Sequence, residues 1–363
     1  MASEQSVHMN RGDGEASYAR NSNVQGAAQN RLKPLIHEAV ASLWKSSHTH
    51  SSVVIADLGC SSGPNALALV EAAVDVISRR SVQQQKQILP ELSVLLNDLP
   101  DNDFNNVVKS LVAFQQTNPY SGPVVTGIVP GSFYKRLFAS NSLHLVLSSN
   151  SLNWLSEAPN DLKKNGIPMY DTDDDLRRAR RPLVVQAYGQ QFRKDFTLFL
   201  NLRAQELVLG GQMVICLLGR PLGGDASQSI QPWDIAAFPL NDMASRGVIS
   251  RELFDLFYVS VYGPSGEELR EIIDDEGSFE INCLQVHELT SGMDKSLITP
   301  KMRAYAARAA FEPIIMQHFG HSGEVMDEFV RTMEQNVSSR MLQGAGAPAD
   351  SFVSLCAYLT KRI

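Results

Sequence analysis

The sequence predicts an α/β fold: a mostly parallel sheet whose carboxyl edge lies under a helical cap. Three observations predict it. Apolar runs of strand length recur and end in polar or acidic residues, at Val53–Asp57, Leu92–Asp98, Val124–Val129, Leu143–Ser149 and Gln212–Gly219, the pattern of strands buried on both faces. Stretches of helical periodicity separate several of them. Two blocks, 156–183 and 221–277, interrupt the rhythm, as helices inserted above strand ends would.

Composition narrows the class. A chain of 363 residues with 44% apolar and 20% charged residues can bury one large or two modest cores. The net charge of −7 argues against nucleic acid or an anionic membrane as a partner. Cys60, Cys216, Cys283 and Cys356 are far apart and form no C-x-x-C pair, which fits a reducing compartment and gives no zinc site. No apolar run has membrane length, and the polar N-terminus lacks a leader pattern, so a cytoplasmic protein is expected.

Residues 1–30 are polar but carry Met9, Tyr18 and Val24, as a lid over a site would. A helix is expected from Arg31, because Leu32, Leu35, Ile36, Ala39, Val40 and Leu43 share one face. The run Ser46 to Ser51 reads as a solvated loop, since His48 and His50 have no third ligand nearby.

The first strand ends in the run Asp57-Leu58-Gly59-Cys60-Ser61-Ser62-Gly63-Pro64-Asn65. Its glycines allow a tight turn and close approach of backbone to a ligand. Pro64 fits the first turn of the next helix. The spacing is neither G-x-G-x-x-G nor a P-loop, so no phosphate anchor is present. An acid beside spaced glycines suits S-adenosylmethionine, with its sulfonium, amino-acid head and ribose. After a Gln-rich turn from Gln83 to Gln87, the second strand ends in Asp98, placed to accept from ribose hydroxyls or to cap a helix starting near Asn102. The third and fourth strand ends add Ser132, Phe133 and Ser149 to Trp154. His144 lies inside an apolar strand and reads as a core residue. The charged block Asp171 to Arg181 reads as a solvated loop with local ion pairs. A helix over 184–208 is expected to end at Gly210-Gly211. Ser278 to Leu289 alternates like an antiparallel strand, 302–335 is helical, and Ser351 to Ile363 is a final strand or helix.

As an ordered set, Ser17-Tyr18 with Asn21-Ser-Asn-Val-Gln25, Asp57 to Asn65, Leu96-Asn-Asp-Leu-Pro100, Pro130-Gly-Ser-Phe-Tyr134 and Ser151-Leu-Asn-Trp-Leu-Ser156 resembles the SABATH family. These are plant methyltransferases of secondary metabolism acting on small carboxylic acids or, in one branch, on xanthine nitrogens. The resemblance implies a class I methyltransferase, Rossmann-like core with an α-helical cap, often as a homodimer. It places S-adenosylmethionine on Tyr18, Gln25, Asp57, Asn65, Asp98, Leu99, Ser132, Phe133 and Ser149. It places the acceptor carboxylate on Gln25 and Trp154, in a pocket walled by Asn150, Asn153, Trp233 and Tyr262. Asn10 stands where some members have a basic residue. A magnesium site of some members would fall on Asn165, Asp255 and Phe257, but the run Asp255-Leu256-Phe257-Tyr258 lacks its last Asn, which argues against the metal.

The expected organisation is an N-terminal lid (1–30), a cofactor core (31–155, 184–220, 278–290), a cap (156–183, 221–277, 291–345) and a C-terminal return to the core (346–363). The expected activity is formation of a methyl ester of a small acid, with no general base, because a carboxylate is already ionised at neutral pH. Asn150 and Asn153 beside Trp154 point to a compact aromatic acid. An N-methyltransferase of a xanthine-like ring and a non-catalytic binding protein of the same fold are the alternatives.

Overall fold

Seven strands form one sheet: β1 (Ser52–Leu58), β2 (Glu91–Asp98), β3 (Val124–Pro130), β4 (Leu143–Ser149), β5 (Leu207–Gly219), β6 (Phe279–Glu288) and β7 (Val353–Lys361). The structure is a computed structural model describing residues 8–45, 51–83, 89–221, 223, 226–320, 323–342 and 348–362. The predicted loop at 46–50, the Gln-rich turn at 84–87 and the first seven residues lie outside the described residues. The strand order is β3-β2-β1-β4-β5-β7-β6. The first five strands are parallel, and β7 runs antiparallel between β5 and β6. The terminal segment is therefore a strand, and the five-strand core grows to seven.

The helices are α1 (Tyr18–Asn21), α2 (Asn23–Lys45), α3 (Ala68–Gln83), α4 (Phe104–Thr117), α5 (Asn160–Lys164), α6 (Asp174–Glu206), α7 (Asp234–Ser245), α8 (Arg251–Asp255), α9 (Gly266–Glu276), α10 (Pro300–Phe319) and α11 (Gly323–Leu342). Alternation along the strands sends side chains to two cores. Val53, Ile55, Val214 and Cys216 pack with α2, α3 and α4 residues such as Ile36, Val70 and Val107. Ala56, Leu58, Ile215 and Leu217 pack with the α6 rings of Phe192, Phe196 and Phe199. Burying both faces explains why these strands read as unbroken apolar runs. His144 is a core residue as expected, its Nδ1 accepting from the Val54 N–H at 3.1 Å.

Several boundaries differ from the sequence reading. Helix α2 begins at Asn23, not Arg31, so a lid ending at residue 30 would end inside a helix. Its first turns carry Gln25 and Gln29, whose polar side chains hide the helix from an apolar-periodicity reading. Helix α3 starts at Ala68, and Pro64 sits in the turns ahead of it. The charged block is the start of α6 rather than a loop. Asp173 caps it, accepting from the Asp175 and Leu176 N–H groups at 2.9 Å. Acids in the first turn also suit the helix dipole. Arg180 then pairs with Asp171, and Arg181 with Asp234 on α7. Gly210-Gly211 does not end the helix. It lies within β5, where Gly210 takes φ +71° beside a register shift against β4. The helical stretch 302–335 divides into the hairpin of α10 and α11.

Candidate active site

The chain passes from β1 outward to β2 and β3, then returns to place β4 on the other side of β1. Ligands in such sheets bind at that reversal, outside the carboxyl ends of the strands. Register aligns those ends: Asp57 lies beside Leu96 and Leu147, and Asp98 beside Pro130.

The loop after β1 is held by backbone. The Gly59 and Cys60 N–H groups both donate to the Asn97 carbonyl at 2.9 Å. Asn97, fully buried, in turn donates to the Val129 and Gly131 carbonyls. Gly59 takes φ +76°, and a Cβ there would stand 2.2 Å from Ser151 Oγ. No side chain fits at that place.

Two carboxyl groups face this loop. Asp57 is 2% exposed. Burial, and then the neighbouring Asp98 carboxylate, raise its pKa to about 8, against a counter-pull from the Leu58 N–H. Asp98 accepts from the Ser61 N–H at 2.6 Å and the Leu99 N–H at 2.7 Å. Burial raises it to about 6, while those two N–H groups hold it lower than Asp57. Asp98 caps no helix; the α4 cap is Asp103.

The N-terminal segment closes on the same loop. Asn65 Nδ2 donates to the Ser22 carbonyl and hydroxyl, both at 2.9 Å. A Cβ on Gly63 would stand 2.6 Å from the Ala19 Cβ. Asn10 ties the segment to α10, its side chain donating to Glu312 and its N–H to the Ala309 carbonyl. Gln25 Oε1 and Ser61 Oγ are buried without a partner. On the opposite side, Ser132 and Phe133 lie in the turn after β3. Arg203 donates to the Phe133 carbonyl at 2.9 Å and the Lys135 carbonyl at 3.1 Å, and Glu206 accepts from the Leu137 and Phe138 N–H groups. This Arg203–Glu206 pair is wholly buried. Sequence reading passed over it, because both residues look like the exposed end of a long helix.

These residues fit S-adenosylmethionine. Two acids suit its ribose hydroxyls and cationic groups, the buried oxygens of Gln25 and Ser61 lack partners, and Gly59 permits close approach.

A cavity of about 440 Å³ adjoins this loop cluster. Tyr18, Gln25, Asn150 and Trp154 line it, together with Asn153. Asn150 takes φ +59° and donates to Ser149 Oγ at 2.9 Å. The Trp154 ring meets Phe311 with centroids 5.9 Å apart. Helix α10 presents Arg303, Ala306, Ala307, Ala310 and Phe311, one helical face. Helix α11 presents Met333, Asn336, Val337 and Arg340. Among the described lining residues there is no Asp, Glu or His.

Two wall assignments change, and a third residue keeps its place with another role. Asn153 lines the cavity, but its amide donates to the Leu218 and Tyr262 carbonyls and accepts from the Leu218 N–H at 2.8 Å. Both its N–H donors are spent on backbone, so it offers none to an acceptor. Trp233 is not on the wall: it stacks on Tyr188 with centroids 4.2 Å apart. Tyr262 also stands behind the wall, its hydroxyl drawn to Arg220 at 2.9 Å and Glu268 at 3.2 Å. Asn165 spends its amide on the Asp161 carbonyl, and Phe257 packs against His318 and Phe319. Among the described residues no group of three His, Cys, Asp or Glu could hold a metal. The α10 and α11 faces were not singled out from sequence; the i, i+3, i+4, i+7, i+8 spacing from Arg303 to Phe311 was the available signal.

Comparison with known proteins agrees with this geometry. A family model described as SAM dependent carboxyl methyltransferase matches residues 4–361. A probable jasmonic acid carboxyl methyltransferase 1 of Theobroma cacao is 36% identical, with 93% of this chain and 94% of that protein covered. A benzoic acid/salicylic acid carboxyl methyltransferase of Petunia hybrida is 37% identical, with 98% of each covered. A probable caffeine synthase of Camellia sinensis is 37% identical, covering 93% of this chain and 94% of that one. A solved loganic acid methyltransferase with SAH superposes with a TM-score of 0.83 at 29% identity, over 98% of this chain and 99% of that one. The chain belongs to the S-adenosylmethionine-dependent carboxyl methyltransferases.

Proposed function

We propose that this methyltransferase esterifies a small acid whose carboxylate sits between Gln25 and Trp154. The carrying observation is placement: both residues line the cavity at the end next to Tyr18 and Asn150, beside the Asp57–Asp98 pair. In this reading Asp98 takes the ribose hydroxyls, and Asp57, Gln25 and Asn65 surround the amino-acid head. Leu99, Ser132 and Phe133 border the adenine, and Ser149 closes the β4 side. The sheet with α2 to α4 and α6 is the cofactor core, and α7 to α11 form a cap over the acceptor.

The chemistry asks little of the chain. The bound cofactor supplies an electrophilic methyl; a carboxylate oxygen forms the C–O bond as the C–S bond breaks. No proton moves, because the acid is ionised at neutral pH. The residues align and desolvate the acid. Gln25 and the Trp154 indole N–H are the donors for its oxygens. The ring nitrogens of a xanthine carry a proton that must leave, and the cavity lining provides no carboxylate or imidazole to take it. That favours the acid over the heterocycle. With Trp233 and Tyr262 behind the wall, an aromatic body is no longer demanded; Phe238, Phe311 and Phe352 give an apolar wall that an alicyclic body also fits. A cytoplasmic homodimer completes the proposal, on the family resemblance, and light scattering of the purified protein tests the dimer.

The experiment is transfer of labelled methyl to a panel of acids and xanthines. The expected product is a methyl ester that mild base returns to the acid. A base-stable methylated product formed faster than every ester would overturn the reading.

A further inference from the structure

The only charged residues lining the cavity, among those described, are two arginines, Arg303 and Arg340. Neither belongs to the carboxylate end. Arg303 lies eight residues before Phe311 on α10, and Phe311 touches Trp154. At a rise of 1.5 Å per residue, Arg303 is roughly 12 Å along the helix from that contact. Arg340 lies in the last turn of α11. Because α10 and α11 form a hairpin with a short connection, the start of one lies near the end of the other. Both guanidinium groups therefore belong to the same remote end of the cavity.

The space between the two ends is apolar. Ala306, Ala307 and Ala310 keep the α10 wall low, and Val337 and Met333 face it from α11. The Arg303 side chain is 11% exposed and pairs with Asp350, while its buried Nε has no partner. The Asp350 pair uses Nη2, and a guanidinium carries five N–H bonds, so donors of Arg303 remain. An acid that is apolar throughout would offer the Arg303 Nε no acceptor.

We infer that the acceptor is an elongated acid carrying a second oxygen acceptor, about 10–12 Å from the methylated carboxylate by the helix rise, which binds at Arg303 and Arg340. This rests on the carboxylate site at Gln25 and Trp154. A carboxylate at the remote end gains a charge-assisted pair with Arg303; a ketone gains a weaker bond in the same place.

The test is calorimetry in the presence of saturating S-adenosylhomocysteine, with nonanedioate, 8-oxononanoate and nonanoate. Nonanedioate should bind at least tenfold tighter than nonanoate, with the keto acid between them. Arg303→Gln should bring the three together while leaving nonanoate unchanged, and Arg303→Lys should keep part of the preference. If Arg303→Gln melts early through loss of the Asp350 pair, Arg340→Gln carries the same comparison. Equal binding of all three acids by the unaltered protein overturns the inference alone, as does a preference that survives both glutamine variants. Absence of binding by every acid overturns the carboxylate site and the inference together.

Discussion

The Asp57–Asp98 pair makes cofactor affinity depend on pH in a direction that can be worked out. Without cofactor, Asp57 titrates near 8 because it is buried and faces a second carboxylate. At pH 7 it is about nine-tenths protonated, and each unit below its pKa costs about 1.4 kcal/mol to ionise. A ligand bearing an ammonium and a sulfonium favours the ionised form. Binding therefore releases close to one proton at pH 7, and affinity rises about tenfold per unit from pH 6.5 to 8, then levels off. Replacing Asp57 by Asn isolates the effect. The amide resembles the protonated acid, so at pH 6.5 its affinity should lie within a few-fold of the unaltered protein's. At pH 8.5 it should be at least tenfold weaker. The folded pKa is raised, so the cofactor-free protein loses stability from Asp57 as pH climbs from about 4 to 8. The Asn variant escapes that loss and should melt higher at pH 8.5. Calorimetry in two buffers of different ionisation heat reads both affinity and proton count. A flat affinity from pH 6.5 to 8 with no proton released would refute the reasoning.

Other consequences are shorter to state. Asp98→Ala removes the acceptor of both loop N–H groups and, on the proposed placement, of the ribose, and charged hydrogen bonds are worth about 1.5–3 kcal/mol; the dissociation constant of S-adenosylhomocysteine should rise roughly tenfold or more. Arg203→Met removes the buried partner of Glu206 and leaves it to Arg136 and the Leu137 and Phe138 N–H groups, so urea unfolding should show a loss of about 1.5–3 kcal/mol, with weaker cofactor binding as the Phe133 turn loosens. Asn153→Ala should cost about 1–3 kcal/mol through the orphaned Leu218 and Tyr262 backbone groups without changing the order of preferred acids; a changed order would show that Asn153 recognises the acid from the wall.

The strand ends and glycine loop proposed for the cofactor were legible because their information is local. A strand, its terminal acid and the glycines at positive φ lie within nine residues, Asp57 to Asn65, and each constrains the next. The same holds for Leu96 to Pro100. The start of α2 was not legible: Gln25 lines the cavity and Gln29 donates to the Asn65 carbonyl, so polar residues stand where an apolar stripe would mark the helix. The charged start of α6 looked like a loop because its stability comes from the Asp173 cap and arginine pairs. The role of Asn153 was misread for a different reason. Its partners, Leu218 and Tyr262, lie 65 and 109 residues away, and nothing near Asn153 in sequence states that its amide is already committed.

That contrast follows from how the two halves are built. The loop after β1 is fixed by backbone donors and by Gly59, which tolerates no Cβ, and the turn after β3 by a buried ion pair at Arg203 and Glu206. Changing any of these leaves an unpaired buried group or a clash, each costing more than a surface change. The cavity proposed for the acceptor is instead walled in part by side chains projecting from α10 and α11. Ala306, Ala307, Ala310 and Arg303 can be exchanged without breaking a backbone hydrogen bond, because the helix satisfies its own. A scaffold so arranged holds one cofactor strictly and can change its acid through one helical face. The chain is about equally similar to proteins named for a jasmonate, a benzoate and a caffeine reaction. Overall identity therefore says little about the acid, and the proposed acceptor site puts the choice on the few residues of α10 and α11 that face the cavity.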